Sequence, residues 1–123
     1  MGAADPVRHI PPGERVPGHA TPGMVREEAV STGGMWAGFV RTAAHDTSGW
    51  HHHGDYETAI YVISGHARFL TGAEGKEVHD AGPGDFVWVP PHEHHVEMNL
   101  SEAEPVRMVV SRSTQETLVF NVD

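Results

Sequence analysis

The chain has 123 residues, 38% of them hydrophobic and 20% charged, which suits one ordinary globular domain and leaves no room for two. Its 17 acidic residues against 8 Lys and Arg give a net charge of −9, which makes nucleic acid and anionic lipid poor partners. No apolar run reaches the roughly 18 to 20 residues of a membrane helix. The first residues of the chain include charged side chains and prolines, whereas a signal peptide would have an apolar run there. We therefore expect a cytoplasmic protein with no membrane partner.

The first 22 residues are predicted to form an extended arm, because they contain five prolines, which neither sustain a helix nor enter a central strand. Residues 23–123 are predicted to form one all-β domain, a barrel or sandwich of about ten strands without a substantial helix. Its short β-branched and aromatic runs are separated by turns rich in glycine and proline. The clearest predicted strands are 35–42, 57–64, 66–71, 85–89, 95–99, 106–112 and 117–122.

Histidine is the unusual feature of the composition. There are 11 histidines and no cysteine, so a metal site in this chain would be built from imidazole and carboxylate and not from thiolate. His51 and His53 are two residues apart, and in a strand they would project from one face while His52 points away. Two imidazoles placed in this way could share one metal ion, and a third ligand could come from the later group of histidines at 92, 94 and 95.

The region around these later histidines resembles the second motif of the cupin family. That motif has a glycine, five residues, a proline, one residue, a glycine, two residues, a histidine, three residues and an asparagine. Gly84, Pro90, His95 and Asn99 follow this spacing, and His92 stands where the family has its second glycine. The first cupin motif is matched by His51, His53, Glu57 and Gly65, although its leading glycine is absent.

The resemblance implies a double-stranded β-helix, or jelly-roll, barrel with a metal held by His51, His53, His95 and a carboxylate. Counting forward from His53 places Glu57 in the carboxylate position, whereas counting back from Gly65 places Thr58 there. These two positions face opposite sides of a strand. We expect Glu57 to be the fourth ligand, turned inward by a bulge or a tight turn.

The function implied by the resemblance is a metal-dependent enzyme with one divalent ion, Fe²⁺, Mn²⁺, Ni²⁺, Zn²⁺, Co²⁺ or Cu²⁺, acting on a small organic molecule. We favour an oxygenase-type reaction by analogy with the family. The alternatives are an isomerase, lyase or decarboxylase, and a non-catalytic barrel that binds or senses a small molecule.

Two further side chains are candidate catalytic groups. If Glu57 faces inward, alternation also turns Tyr61 inward, and its hydroxyl would act as an acid or orient the substrate. His92 is either a solvated turn residue or a proton shuttle beside His95. Small cupins commonly pair, and the arm with the segment 24–30 could cover a neighbour's sheet edge, so we expect a homodimer.

Overall fold

The computed structural model describes residues 6–18, 24–52, 54–113 and 120–122 of the chain. Its strands are β1 (Val16–Pro17), β2 (Met24–Ser31), β3 (Trp36–Thr42), β4 (Trp50–His52), β5 (Thr58–Ser64), β6 (Ala67–Thr71), β7 (Glu77–Ala81), β8 (Phe86–Val89), β9 (His95–Asn99), β10 (Val106–Arg112) and β11 (Phe120–Val122). Two short 3-10 turns, Pro12–Glu14 and Ala73–Gly75, are the helical elements of this part of the chain. Within these ranges, no helix is long and apolar enough to cross a membrane.

The strands form two antiparallel sheets that enclose one interior. The first sheet has the order β1-β2-β3-β10-β5-β8, and the second has the order β11-β4-β9-β6-β7. This arrangement confirms the predicted all-β class with a jelly-roll topology. The extended arm stays a prediction, because residues 1–5 and 19–23 lie outside the described ranges.

Alternation along the strands separates the interior from the surface. In β5 the residues Thr58, Ile60 and Val62 are buried, while the residues between them are exposed. A strand with this period of two presents one apolar face to the opposite sheet and the other face to solvent. The buried apolar residues from both sheets make one core, which includes Trp36, Val40, Ile60, Val62, Phe69, Val106 and Met108.

The turn between β5 and β6 depends on a glycine. Gly65 has φ of +82°, in the left-handed region, and a Cβ at this position would lie 2.5 Å from the carbonyl oxygen of Pro105. Gly65 therefore meets the requirement of the tight turn that ends β5.

Candidate metal centre

Two histidines meet in the interior because their strands are neighbours. His51 on β4 and His95 on β9 are directly opposite each other in the register of the five-stranded sheet. Both side chains are fully buried, and their ring centroids are 4.2 Å apart. Both histidines are ligands predicted from the sequence, and the structure brings them together.

Backbone carbonyls orient both imidazole rings. The Nδ1 atom of His51 lies 3.0 Å from the carbonyl oxygen of Gly49, and the Nδ1 atom of His95 lies 3.2 Å from that of Glu93. A carbonyl oxygen only accepts, so each Nδ1–H donates, and the neutral ring of His51 carries its lone pair on Nε2. Metal-binding histidines are commonly held in this way.

A buried carboxylate completes the cluster. Glu97 lies two residues after His95 on the same face of β9, and its side chain is 4% exposed. Its Oε1 atom is 3.2 Å from Nε2 of His95 and 3.9 Å from Nε2 of His51. One ligand atom from each of the three residues lies within 4.8 Å of the others.

The electrostatics of the cluster keep His51 neutral and Glu97 ionised. Burial lowers the pKa of His51 to about 4, although the charge of Glu97 opposes this shift. Burial alone would raise the pKa of Glu97, but the hydrogen bond from His95 and the charges of His95, His51 and Arg26 outweigh it, so the pKa falls to about 2. Arg26 is itself buried, which lowers its pKa, and the charge of Glu97 partly offsets that effect.

These three residues fit a divalent metal ion. The Nε2 atoms of His51 and His95 converge on a carboxylate oxygen of Glu97, where a hydrogen bond from His95 now serves the contact and a divalent cation would take its place. The second carboxylate oxygen of Glu97, Oε2, is buried without a hydrogen-bond partner in the described part of the chain. Two imidazoles and one carboxylate form a donor set that iron, manganese, nickel, cobalt, copper and zinc all accept.

The structure does not bring Glu57 to these histidines, and this placement corrects the expectation for the carboxylate. Glu57 is exposed, and its Oε1 atom accepts a hydrogen bond of 2.8 Å from the indole nitrogen of Trp88 on the outer surface. Thr58 faces the interior in its place, as the first buried residue in the alternation of β5. His53 lies outside the described residues, so its role as a ligand stays a prediction.

The two candidate catalytic residues also lie away from the cluster. Tyr61 is 37% exposed on the outer face of the six-stranded sheet, where its ring centroid is 4.9 Å from that of Phe86. Tyr61 and Glu57 lie on the same side of the sheet, as expected from the alternation of side chains along a strand, but this is the outer side.

His92 is exposed and sits in a strained turn. Its φ is +63°, a conformation that favours glycine, which explains why the cupin motif has glycine at this position. Its backbone N–H donates to the carbonyl of Gly54 at 2.8 Å, and its Nε2 atom lies 2.6 Å from Oδ1 of Asp55. His52 and His94 stack beside it on the same surface, with ring centroids 5.0 Å apart.

A cleft opens beside the cluster of His51, His95 and Glu97. It lies between β7 and β8, which are edge strands of the two sheets. Its volume is about 480 Å³, which is within the usual range for small-molecule sites. The buried side chains of Phe69 and His95 line it, and Phe86 and Trp88 stand at its exposed rim. A small molecule in this cleft would therefore lie next to a ligand of the metal.

Sequence reasoning missed Glu97, although the sequence contains a signal for it. His95, Glu97 and Asn99 alternate along β9 and are all buried, so three polar side chains share the inner face of one strand. Asn99 has a structural role, because its Nδ2 donates to the carbonyl oxygens of Thr42 and Glu104. The side chain of Glu97 has no such backbone contact among these residues, and its Oε1 atom faces the Nε2 atoms of His51 and His95 instead.

Comparison with solved structures shows the same fold in several proteins. The chain is similar to a polyketide cyclase of Streptomyces resistomycificus, with 16% identity, a TM-score of 0.78 and coverage of 95% of this chain and 86% of that one. It is also similar to an uncharacterised protein of Klebsiella pneumoniae with a double-stranded β-helix domain, with 21% identity, a TM-score of 0.71 and coverage of 88% and 90%. An oxalate decarboxylase of Bacillus subtilis matches with 20% identity, a TM-score of 0.75 and coverage of 89% of this chain and 30% of that one.

These identities are low, so the likeness concerns the fold. A comparison of the sequence with curated proteins finds no match. The family model described as the cupin domain matches residues 38–112, which run from within β3 to the end of β10 and include His51, His95 and Glu97. The chain belongs to the cupin family.

Proposed function

We propose that this chain is a metal-dependent enzyme that holds one divalent transition metal inside the barrel and acts on a small organic molecule in the adjacent cleft. The ligands are His51, His95 and Glu97, together with His53 as predicted from the sequence. The observation that carries the proposal is the convergence of two backbone-anchored imidazoles and one ionised carboxylate where the cleft reaches His95.

The donor set favours an oxygenase-type reaction. Imidazole and carboxylate ligands that leave positions open, with or without His53, suit the iron(II) of non-haem oxygenases. A metal bound here would supply Lewis-acid polarisation or oxygen activation at its open positions. An isomerase, lyase or decarboxylase reaction needs only the Lewis acid and is the alternative. The fold is shared with an oxalate decarboxylase and a polyketide cyclase, which are similar to this chain in structure alone.

The residues of the chain orient the two imidazole rings and supply the negative charge of Glu97. The carbonyls of Gly49 and Glu93 hold the two rings with Nε2 toward the site, which avoids a reorientation when a metal binds. The depressed pKa of Glu97 keeps it ionised throughout the physiological pH range, so it binds a cation without first losing a proton.

Metal content and turnover test the proposal together. We expect untagged protein, purified without a nickel column, to contain close to one equivalent of a transition metal by elemental mass spectrometry. His95→Ala should lose the metal, whereas His92→Ala, which removes an exposed imidazole, should keep it. Oxygen uptake with the metal-loaded protein and a panel of small organic compounds then tests turnover. A protein that binds no transition metal after reconstitution would contradict the proposal, and one that binds a ligand stoichiometrically without changing it would be a binding or sensing cupin.

A further inference from the structure

Two arginine side chains lie inside the barrel, where charged residues are rare. Arg26 on β2 is 7% exposed, and Arg112 at the end of β10 is 5% exposed. Both line a small cavity between the inner faces of the two sheets, and Glu97 of the metal cluster forms part of the same wall. Two guanidinium groups and a candidate metal ligand therefore face one interior space.

One donor of Arg112 points to a ligand. The guanidinium carbon of Arg112 lies 4.2 Å from the centroid of the Trp36 ring, so the indole covers one face of the group. Its Nε atom is buried without a hydrogen-bond partner in the described part of the chain. A buried, charged donor is costly without an acceptor, so this side of Arg112 favours a ligand with a negatively charged oxygen.

The charges around the cavity balance only while no metal is bound. Burial lowers the pKa of Arg112 to about 10, the charge of Arg26 adds to this effect and that of Glu28 opposes it, so Arg112 is protonated at neutral pH. Glu97 is ionised, and Glu28 accepts a hydrogen bond of 2.8 Å from the indole nitrogen of Trp36. Two arginines thus face two carboxylates. A divalent ion in the cluster would add positive charge that no further acidic residue lining this cavity compensates, within the described ranges.

The size of the cavity limits what enters it. Its volume is about 10 Å³, which admits about one water-sized atom, such as one oxygen of a carboxylate. Val40, Ile60 and Val110 form apolar parts of the wall, and such a wall strengthens the attraction between a guanidinium and an anion. Thr58 lines the cavity and is the register partner of Val89, which lines the cleft, so the two spaces are neighbours.

We propose that the substrate of the metal centre is an organic acid, whose carboxylate binds Arg112, together with Arg26, in this cavity. The inference rests on the proposed function, because it takes Glu97 as a metal ligand. The body of the acid lies in the cleft, which reaches the cluster at His95, and its carboxylate lies in the cavity, which reaches the cluster at Glu97. The anion compensates part of the metal's charge, so metal and acid strengthen each other's binding, because coupling between two sites is reciprocal.

Formate and formamide test the charge of the ligand, because they have nearly the same size and shape and only formate is an anion. Contact is followed at the Nε–H resonance of Arg112 in nitrogen–proton correlation NMR spectra, and this resonance is identified by its absence in Arg112→Lys. In zinc-loaded protein and chloride-free buffer, we expect formate to shift the resonance and to bind at least about tenfold more tightly than formamide. In metal-free protein we expect the same shift with a weaker affinity. The metal-free arm excludes direct ligation of formate to zinc as the cause.

Arg112→Gln locates the effect, because it removes both the charge and the Nε–H donor from the cavity. We expect this variant to bind formate at least about tenfold more weakly. Arg107→Gln is the matched control and should bind formate as the original chain does, because Arg107 lies on the same strand but is exposed on its outer face. Amide spectra establish whether Arg112→Gln is folded. If it is not, the comparison of formate with formamide in the unchanged chain decides.

The outcomes separate this inference from the proposed function. The inference is overturned by a resonance of Arg112 that formate leaves unchanged up to about 100 mM with and without zinc, by an equal shift with formamide, or by an unchanged formate affinity in Arg112→Gln. Chloride that binds more tightly than formate would make the cavity a halide site and would also overturn it. Formate bound at Arg112 in a protein that takes up no metal would refute the proposed function and leave the anion site standing. Metal uptake without formate binding would do the reverse.

Discussion

Thr58 occupies the inward position of β5, and its substitution by valine tests this register directly. The side chain is 1% exposed, and its hydroxyl has no hydrogen-bond partner in the described part of the chain. A buried hydroxyl without a partner costs about 1–3 kcal/mol relative to water, and valine has nearly the same shape. We therefore expect Thr58→Val to raise the free energy of unfolding of the metal-free protein by about 1 kcal/mol. With a urea slope of about 2 kcal/mol per molar, the midpoint moves up by about 0.5 M.

Thr47→Val is the control, because it removes a hydroxyl that does have partners. The Oγ1 atom of Thr47 donates to the carbonyl of Ser48 at 3.1 Å or of Glu97 at 3.3 Å. We expect this variant to lose stability by about 0.5 kcal/mol, the opposite sign. If Thr58 faced solvent instead, its replacement would change stability by less than about 0.5 kcal/mol. A loss of 1 kcal/mol or more in Thr58→Val would refute the reasoning, since it would mean that the hydroxyl is satisfied in the native protein.

Three further predictions concern the site and the assembly. The pKa of His51 is lowered by burial from 6.5 to about 4, so its contribution to stability is present above pH 6.5 and lost as pH falls toward 4. Metal-free protein should lose about 2 kcal/mol between pH 7 and pH 5 in urea unfolding, and His51→Gln should lack that slope. Tyr61→Phe should leave turnover within about twofold of the original, because Tyr61 faces outward, and a loss of tenfold or more would contradict this. The homodimer expected from the sequence stays a prediction, and light scattering should give about 27 kDa, twice the chain's 13.4 kDa, and not the mass of one chain.

The fold follows from the sequence because alternation and turn residues act locally. The predicted strands 95–99 and 106–112 coincide with β9 and β10, and β3, β5, β6 and β8 each begin one residue later than predicted. β4 and β7 were not among the clear predictions. Their sequences are Trp-His-His and Glu-Val-His-Asp-Ala, which lack the apolar alternation of a half-buried strand. Pairing with neighbouring strands makes them part of the sheet.

The candidate site was predicted in part. His51 and His95 follow from motif spacing, since each motif fixes a strand and the position of its histidine on it. The carboxylate does not follow, because one residue of register moves a side chain to the other face of a strand. Along β5 the buried residues are Thr58, Ile60 and Val62, so Thr58 points inward, while Glu57 before it is exposed. The carboxylate then comes from Glu97 on β9, a residue that neither cupin motif specifies.

Anomalous diffraction from crystals of the metal-loaded protein, collected at the absorption edge of the bound metal, tests the central claim most directly. We expect one peak inside the barrel, within about 2.0–2.3 Å of Nε2 of His51, Nε2 of His95 and a carboxylate oxygen of Glu97. We expect Glu57 to keep its hydrogen bond from Trp88 on the outer surface. A peak coordinated by Glu57, a peak only at the surface histidines around His92, or no peak after reconstitution would contradict the assignment.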